Sequence, residues 1–477
     1  MKQRIQFRVD ANQTIGYGHL VRCMAISEVL SAYNIEFYST ENISAFLSEQ
    51  SKISPTFLRL KTSDAFFDNV SSDSIVVLDG YQFNSAYQRA IKETGANLVL
   101  IDDLAMQEVH ADVIINPNPL IKARDYSSPP STLYCIGFDF ALLRSPFLDL
   151  IRNEREPKEK NSLLICFGGS DPLNKTKTAL ITVLNSTTKF QTIHVVLGPG
   201  YQHHEAIMEI CADTDRVQVH NALGGEEMAD LMSKTAFAIL PCSSILLEGL
   251  CAQMKILSGY YIDNQKYVYE GYLDRGWFVD AKSFQELEIQ AALLELKEKA
   301  IIEDVIDGRS MTRIAKAINL LTLERSCTLR KATIDDVQTT FDWANTPATR
   351  QFSINKDPIP WDNHRAWFTA KLTDSNCWYG ILEQDGKPVG SIRFDITDAT
   401  ALISYLVDPS VYGKGFGTLL MKLGMEGLLQ QIKSIHEIHG FVFEENIASM
   451  KTFERFGFDQ TSSDGMPLFI KKIESYV

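Results

Sequence analysis

Two glycine-rich turns carry the side chains best placed for chemistry in this sequence. Near the N-terminus, Gly16-Tyr17-Gly18-His19 follows the apolar run Ile5, Phe7, Val9 and opens an amphipathic helix. An imidazole at a strand-to-helix junction stands where ligands meet open α/β sheets, and its ordinary pKa of about 6.5 lets it accept a proton near neutrality. Near the C-terminus, Tyr412-Gly413-Lys414-Gly415-Phe416-Gly417 repeats the strand, glycine loop, helix arrangement without an imidazole. Unpaired N–H donors and the helix dipole both favour an anion at such a helix start. The first loop therefore suggests bond-making chemistry and the second suggests phosphate holding.

The elements that position these loops belong to a chain of 477 residues with 45% hydrophobic side chains and a formal charge of −14. That length suits about three domains. The acidic balance and the lack of a basic stripe exclude nonspecific nucleic-acid binding, so small anions must be held by local donors. Met1-Lys2-Gln3-Arg4 runs straight into a strand pattern and no apolar stretch approaches a membrane-spanning length, so a cytoplasmic protein without membrane attachment is expected. The eight cysteines show no CxxC pair and no metal-ligand spacing, which points to reduced thiols and no metal site.

Residues 75–78, 98–101 and 113–115 are continuous apolar runs, each followed by Asp or Asn, as buried parallel strands of an open sheet would be. The charged stretch Arg152 to Lys160 contains Pro157 and is expected to be a linker. A second alternating unit opens with Leu163 to Phe167 and Gly168-Gly169-Ser170-Asp171-Pro172, and its strand at 236–240 leads into Pro241-Cys242-Ser243-Ser244. Two such halves form a cleft. From Cys327 onward, hairpin segments precede the late glycine loop, the layout of an acyl-CoA-dependent N-acetyltransferase. The expected fold is α/β, with two Rossmann-like domains in a GT-B-like pair (1–152 and 161–322) followed by an α+β acetyltransferase domain (327–477).

On Phe7-Arg8-Val9-Asp10, Ile15 to His19 with Arg22-Cys23, Asp79-Gly80-Tyr81, Asp102-Asp103-Leu104, Leu142-Leu143-Arg144, Phe167 to Pro172, Glu248 and Asn264-Gln265, the first two thirds resembles the UDP-sugar hydrolases of pseudaminic acid biosynthesis. These release UDP from UDP-2,4-diacetamido-2,4,6-trideoxy-β-L-altropyranose. On Asp342 to Asn345, Arg350, His364, Trp367, Gly413 to Gly417, Asn446, Ser449, Phe453 and Gly457-Phe458, the last third resembles GNAT acetyltransferases that act on the 4-amino group of the same UDP-sugar. The resemblance implies two consecutive steps in one chain.

Hydrolysis at an anomeric carbon needs a water delivered in line with the C1–O bond and a grip on the pyrophosphate. His19 is the expected base, and the resemblance implies the same role in a metal-free, inverting reaction. Asp10 can orient His19, bind a sugar hydroxyl, or serve as a buried-turn carboxylate. Gly16, Gly18, Arg22 and Tyr81 are expected to contact substrate. Gly168, Gly169 and Ser170 suit a phosphate, as do Ser243 and Ser244, which stand where the resembled enzymes carry glycines. Glu248 is either an acceptor for the ribose hydroxyls or an exposed helical glutamate. Asn264 and Gln265 are implied nucleotide contacts.

In the last third, Leu406 and Val407 would meet the pantetheine arm of acetyl-CoA, Gly413, Lys414, Gly415, Phe416, Gly417 and Thr418 its pyrophosphate, and Asn446 and Phe453 the region of the thioester. Phe453 occupies the position where many GNAT enzymes carry a proton-donating tyrosine, and phenylalanine has no proton to give. Glu444, Glu445 and His364 are candidate bases, and Trp343 and Trp367 pack either on substrate or within the fold. The rival reading is a GT-B glycosyltransferase fused to a silent acyl-CoA-binding module.

Overall fold

The computed structural model describes residues 3–12, 14–105, 108–153, 157–212, 214–303, 305–463 and 465–473. The chain is a mixed α/β protein with three sheets. The first contains β1 (Arg4–Val9), β2 (Asn34–Ser39), β3 (Thr56–Arg59), β4 (Ile75–Asp79), β5 (Asn97–Ile101), β6 (Val113–Asn116) and β7 (Leu133–Ile136), in the order β3-β2-β1-β4-β5-β6-β7. Its first five strands pair in parallel. β4 is buried along its whole length, as an apolar strand covered on both faces must be.

The second sheet contains β8 (Glu159–Ile165), β9 (Thr192–Leu197), β10 (Val217–Asn221), β11 (Thr235–Pro241), β12 (Lys255–Gly259) and β13 (Val279–Asp280), in the order β10-β9-β8-β11-β12-β13. All of its pairs are parallel. Its core gathers Leu163, Ile165, Val195, Ile239 and Leu257 against helical residues such as Leu180 and Leu293. In both sheets the winding reverses beside the first strand, between β1 and β4 and between β8 and β11. Such a reversal opens a crevice at the carboxyl ends of the strands, where ligands of doubly wound sheets bind.

The third sheet contains β14 (Cys327–Lys331), β15 (Cys377–Gln384), β16 (Lys387–Thr397), β17 (Thr400–Val407), β18 (Glu437–Phe441), β19 (Asp459–Ser463) and β20 (Met466–Lys472), in the order β14-β15-β16-β17-β18-β20-β19. Its pairs are antiparallel except β17 with β18. That parallel pair spans only Thr400–Leu402 against Glu437–His439. The rest of β17 keeps its partner β16 on one edge and parts from β18 on the other.

By internal contacts the chain forms two compact units, one holding residues up to 106, 115–121 and 136–315, the other holding 107–114, 122–135 and 316 onward. The expected linker is partly structured: helix Ser145–Arg152 ends at its start, β8 claims Glu159 and Lys160, and 154–156 lie outside the described residues. No helix among the described residues is long and apolar enough to cross a membrane.

One close approach ties β9 to the loop after β8. A Cβ on Gly198 would lie 2.3 Å from the Gly168 carbonyl oxygen and 2.4 Å from that of Gly169. Gly198→Ala must therefore push the Gly168-Gly169 turn away. Overpacking of this kind costs roughly 1–3 kcal/mol, and thermal unfolding should show it as a lower midpoint; an unchanged midpoint would contradict the close contact.

Candidate functional site

In the first unit a cavity of about 1010 Å³ collects the loops that follow the strands at both winding reversals. Gly16, Gly18, His19, Arg22, Tyr81 and Asp103 line it from the first sheet. Gly168, Gly169, Ser170, Ser243, Ser244, Glu248 and Gln265 line it from the second. The two sets come together because each sits just beyond the carboxyl end of a central strand.

His19 is the second residue of helix Gly18–Val29, so it shares a face with Arg22 and Cys23 at i+3 and i+4. That face meets the end of β4. His19 is 8% exposed, and its Nδ1 lies 2.7 Å from Asp79 Oδ1. A carboxylate oxygen only accepts, so Nδ1 carries the proton of this contact, and in the neutral ring the lone pair is then on Nε2. Arg22 Nη2, 3.0 Å from Nδ1, is itself a donor and cannot bond to that protonated nitrogen. The Tyr81 ring stands edge-on to the imidazole, with centroids 4.9 Å apart.

Arg22 bridges two carboxylates. Its Nε and Nη2 donate to Asp79 at 2.6 Å each, and Nη1 donates to both oxygens of Asp103 at 2.8 Å. Tyr81 also donates its hydroxyl to Asp103, at 3.2 Å. Burial alone would raise the Asp79 carboxyl, but the charge of Arg22 and the hydrogen bonds from Arg22 and His19 outweigh it and hold Asp79 well below the usual carboxylate range. The same carboxylates offset burial at Arg22 and raise its guanidinium further.

Of the roles open to Asp10, the structure shows the buried-turn carboxylate: it neither contacts His19 nor lines the cavity. Its carboxylate accepts from Arg8 Nη1 and Nη2 (2.7 and 3.0 Å), Ser39 Oγ (2.8 Å), Thr40 N and Oγ1 (2.8 and 3.1 Å) and Gln82 Nε2 (3.0 Å). With its lone pairs consumed by the turn, it is a buried structural carboxylate. Asp79, a strand-end residue within a quoted motif, orients His19 instead.

On the facing wall, Gly168 and Gly169 turn the chain after β8, and Asp171 accepts from the Lys175 and Thr176 amides at 2.9 and 2.8 Å to fasten helix Lys175–Asn185. Ser243 precedes helix Ser244–Cys251 just after β11, and Ser243 and Ser244 both line the cavity. Glu248 is not an exposed helical glutamate: it is 4% exposed, and Arg144 Nε and Nη2 donate to its two oxygens at 2.7 Å each. Each oxygen retains a second lone pair for a ligand hydroxyl. Gln265 accepts from the Tyr261 amide at 3.2 Å. Asn264 belongs to helix Asp263–Leu273, and its side chain lies outside the described residues.

The second unit holds a cavity of about 1340 Å³. Leu406, Val407, Gly413, Lys414, Gly415, Phe416, Gly417, Thr418, Asn446 and Phe453 all line it, beside the edge where β17 parts from β18. Gly415 has φ +94°, a left-handed conformation that turns the chain into helix Phe416–Gln431. Asn446 caps helix Ile447–Arg455 by accepting from the Ser449 amide at 3.2 Å. Phe453 is 2% exposed, stacked on Phe469 and fitted against Gly440, where a Cβ would come within 2.4 Å of its ring.

Among the described residues no Asp or Glu lines this cavity, whereas Lys316, Arg350, Arg393, Lys414 and Arg455 do. Glu444 and Glu445 are exposed turn residues between the lining residues Phe443 and Asn446 and are not themselves in the lining. His364 does line it, with Nε2 3.2 Å from Thr340 Oγ1, and burial holds its imidazole below the ordinary value. Trp343 is buried outside the lining, while Trp367 faces the cavity with Arg393 stacked 4.8 Å from its ring.

Comparison with known proteins agrees with this division. Residues 327–459 match the acetyltransferase (GNAT) domain family. The chain is 22% identical over 289 residues to the UDP-2,4-diacetamido-2,4,6-trideoxy-beta-L-altropyranose hydrolase of Campylobacter jejuni, a match covering 58% of this chain and 99% of that protein. An uncharacterized protein of Methanocaldococcus jannaschii is 24% identical over 496 residues, covering 96% of this chain and 97% of the relative. A region similar to a UDP-sugar hydrolase is thus joined to a GNAT acetyltransferase domain.

Because folding depresses the Asp79 pKa, its stabilising effect is present above the unfolded carboxylate value of about 3.9 and is lost as pH falls toward the folded value. Asp79→Asn should lose about 3 kcal/mol near neutrality and show a flatter acid limb when melting temperature is followed against pH. Parallel curves for the two proteins would contradict the ion-pair network.

Proposed function

We propose that the chain carries out two consecutive reactions on a nucleotide sugar of pseudaminic acid biosynthesis. The GNAT domain transfers acetyl from acetyl-CoA to the 4-amino group of a UDP-4-amino-4,6-dideoxy-2-acetamido sugar. The first unit then hydrolyses the product, UDP-2,4-diacetamido-2,4,6-trideoxy-β-L-altropyranose, to UDP and the free sugar. The observation that carries the hydrolase reading is the His19 ring at the cavity wall with its Nδ1 hydrogen-bonded to Asp79, a contact that leaves the lone pair of the neutral ring on Nε2.

In this mechanism Nε2 takes a proton from water as the oxygen attacks C1, the C1–O bond breaks, and its electron pair leaves with UDP. Attack opposite the leaving group inverts the configuration. Asp79 stabilises the imidazolium that forms and keeps the ring from turning. The diphosphate lies against Gly168, Gly169, Ser170, Ser243 and Ser244, the ribose against Glu248, and the uracil against the Asn264-Gln265 segment. Arg22 and Tyr81 complete the sugar side. The mechanism invokes no metal. The whole reaction is placed in the cytoplasm.

The cation-lined cavity of the second unit, without a carboxylate among its described lining residues, supports polyanionic partners in a chain whose overall charge is −14. CoA phosphates take the Gly413–Gly417 amides and Lys414. Trp367, Arg393 and Arg350 suit the base and diphosphate of the acceptor nucleotide. His364, the one imidazole in the lining, receives the proton that the attacking amine gives up. Polyamine acceptors are disfavoured by the same charge distribution.

His19→Ala should lower UDP release at least a hundredfold while acetyl transfer stays intact, as followed by chromatography of UDP and of the acetylated nucleotide sugar. Undiminished hydrolysis would remove His19 from the mechanism. Gly415→Val places a β-branched residue at φ +94° in the phosphate loop. The KM for acetyl-CoA should rise about tenfold or more with hydrolysis spared, and equal loss of both activities would instead report a collapsed fold.

A further inference from the structure

The proton needed by the departing CoA sulfur has no donor at Phe453, whose ring is packed in the core against Phe469, Phe458 and Gly440. A phenol stands beside that position on another element. Tyr405 lies on β17, beyond the last residue paired with β18, and lines the cavity. Its ring centroid is 6.3 Å from that of Phe453, and its hydroxyl is 2.8 Å from Ser449 Oγ. Ser449 is one helical turn before Phe453 on helix Ile447–Arg455 and also lines the cavity.

Resting on the acetyltransferase reading, we propose that Tyr405, backed by Ser449, is the proton donor to the leaving CoA thiolate. The amine nitrogen attacks the thioester carbonyl carbon and a C–N bond forms as the carbonyl electron pair moves to oxygen. On collapse the C–S bond breaks, its electron pair stays on sulfur, and sulfur takes the proton of Tyr405 Oη. Ser449 Oγ returns a proton to the phenolate and is itself restored from water. The surplus proton on nitrogen passes to His364. Two hydroxyls in contact suit this relay because either can donate to the other. Burial raises the Tyr405 phenol above its ordinary value against the opposing hydrogen bonds of Ser449 and Thr452, so the hydroxyl holds a proton at neutral pH before the transfer. The role migrates from a helix to a strand, and both positions overlook one point where β17 and β18 diverge.

The test uses the full chain. Tyr405→Phe should lower kcat for acetyl transfer to the 4-amino nucleotide sugar about ten- to a hundredfold, with KM for acetyl-CoA within about twofold. Difluorotyrosine at position 405, whose phenol ionises several units lower, should bring a falling alkaline limb of kcat down toward neutral pH. A pH profile identical to that of the unmodified chain would overturn the proposal, since a purely structural tyrosine does not impose its own ionisation on the rate. Calorimetric titration with CoA and desulfo-CoA supplies a readout without turnover. Tyr405→Phe should weaken CoA about five- to tenfold, one hydrogen bond's worth, and leave desulfo-CoA unchanged. Equal effects on the two ligands, including none on either, would overturn the contact with sulfur. Failure of the unmodified chain to transfer acetyl at all would overturn the acetyltransferase reading, and the CoA comparison would still decide where Tyr405 points.

Discussion

The hydrogen bond from His19 Nδ1 to the buried carboxylate of Asp79 is the contact on which the first site depends. Asp79 has no exposed surface, and Arg22 bonds to both of its oxygens, so the charge can remain where it is only while all three groups stay in place. Removing any one of them leaves a buried charge or donor without a partner, which costs more than the bond itself contributes. The ring therefore has one tautomer and one orientation, and its second nitrogen is available to the cavity. The arrangement follows from topology, since winding reversal beside β1 places the helix after β1 and the end of β4 side by side.

Both cavities use the amide-rich start of a helix after a strand, and they diverge in the side chains added to it. The first cavity carries paired charges of both signs, with Arg22 between Asp79 and Asp103 and Arg144 against Glu248. Such pairs fix geometry and hold little net charge for attracting a ligand. Among the described residues the second cavity is lined by five Lys and Arg side chains and by no carboxylate, although Arg393 is paired with Asp395 behind it, and this excess of cations favours anions. Precise orientation of one proton-accepting group and broad attraction of phosphates are different tasks, and the side chains differ accordingly.

Much of this was legible in the chain because it depends on local order. The glycine turns, the apolar strands that precede them and the helices that follow are short-range patterns, and the residues expected near the CoA phosphates all line the second cavity. Partners distant in sequence were not legible. Asp79 was visible only as part of a strand-end motif, since its partner His19 lies 60 positions away. Asp10, close in sequence to the imidazole, faces Arg8 and Thr40 instead because β1 delivers it to the β2 side of the turn. Arg144 belonged to a quoted block, yet nothing local told that it would close on Glu248, 104 positions on. The burial of Phe453 likewise depends on Gly440 in β18, and the nearness of Tyr405 to Ser449 depends on strand divergence that no single segment encodes.

In the proposed hydrolysis Asp79 holds His19 with its proton on Nδ1 and a lone pair on Nε2. Nitrogen NMR of the chain labelled in its histidine rings, with His19 assigned by its loss in a substituted protein, measures this directly at mildly alkaline pH. The account requires a protonated Nδ1 and the shift of an unprotonated Nε2 for that ring. A proton found on Nε2 would contradict it.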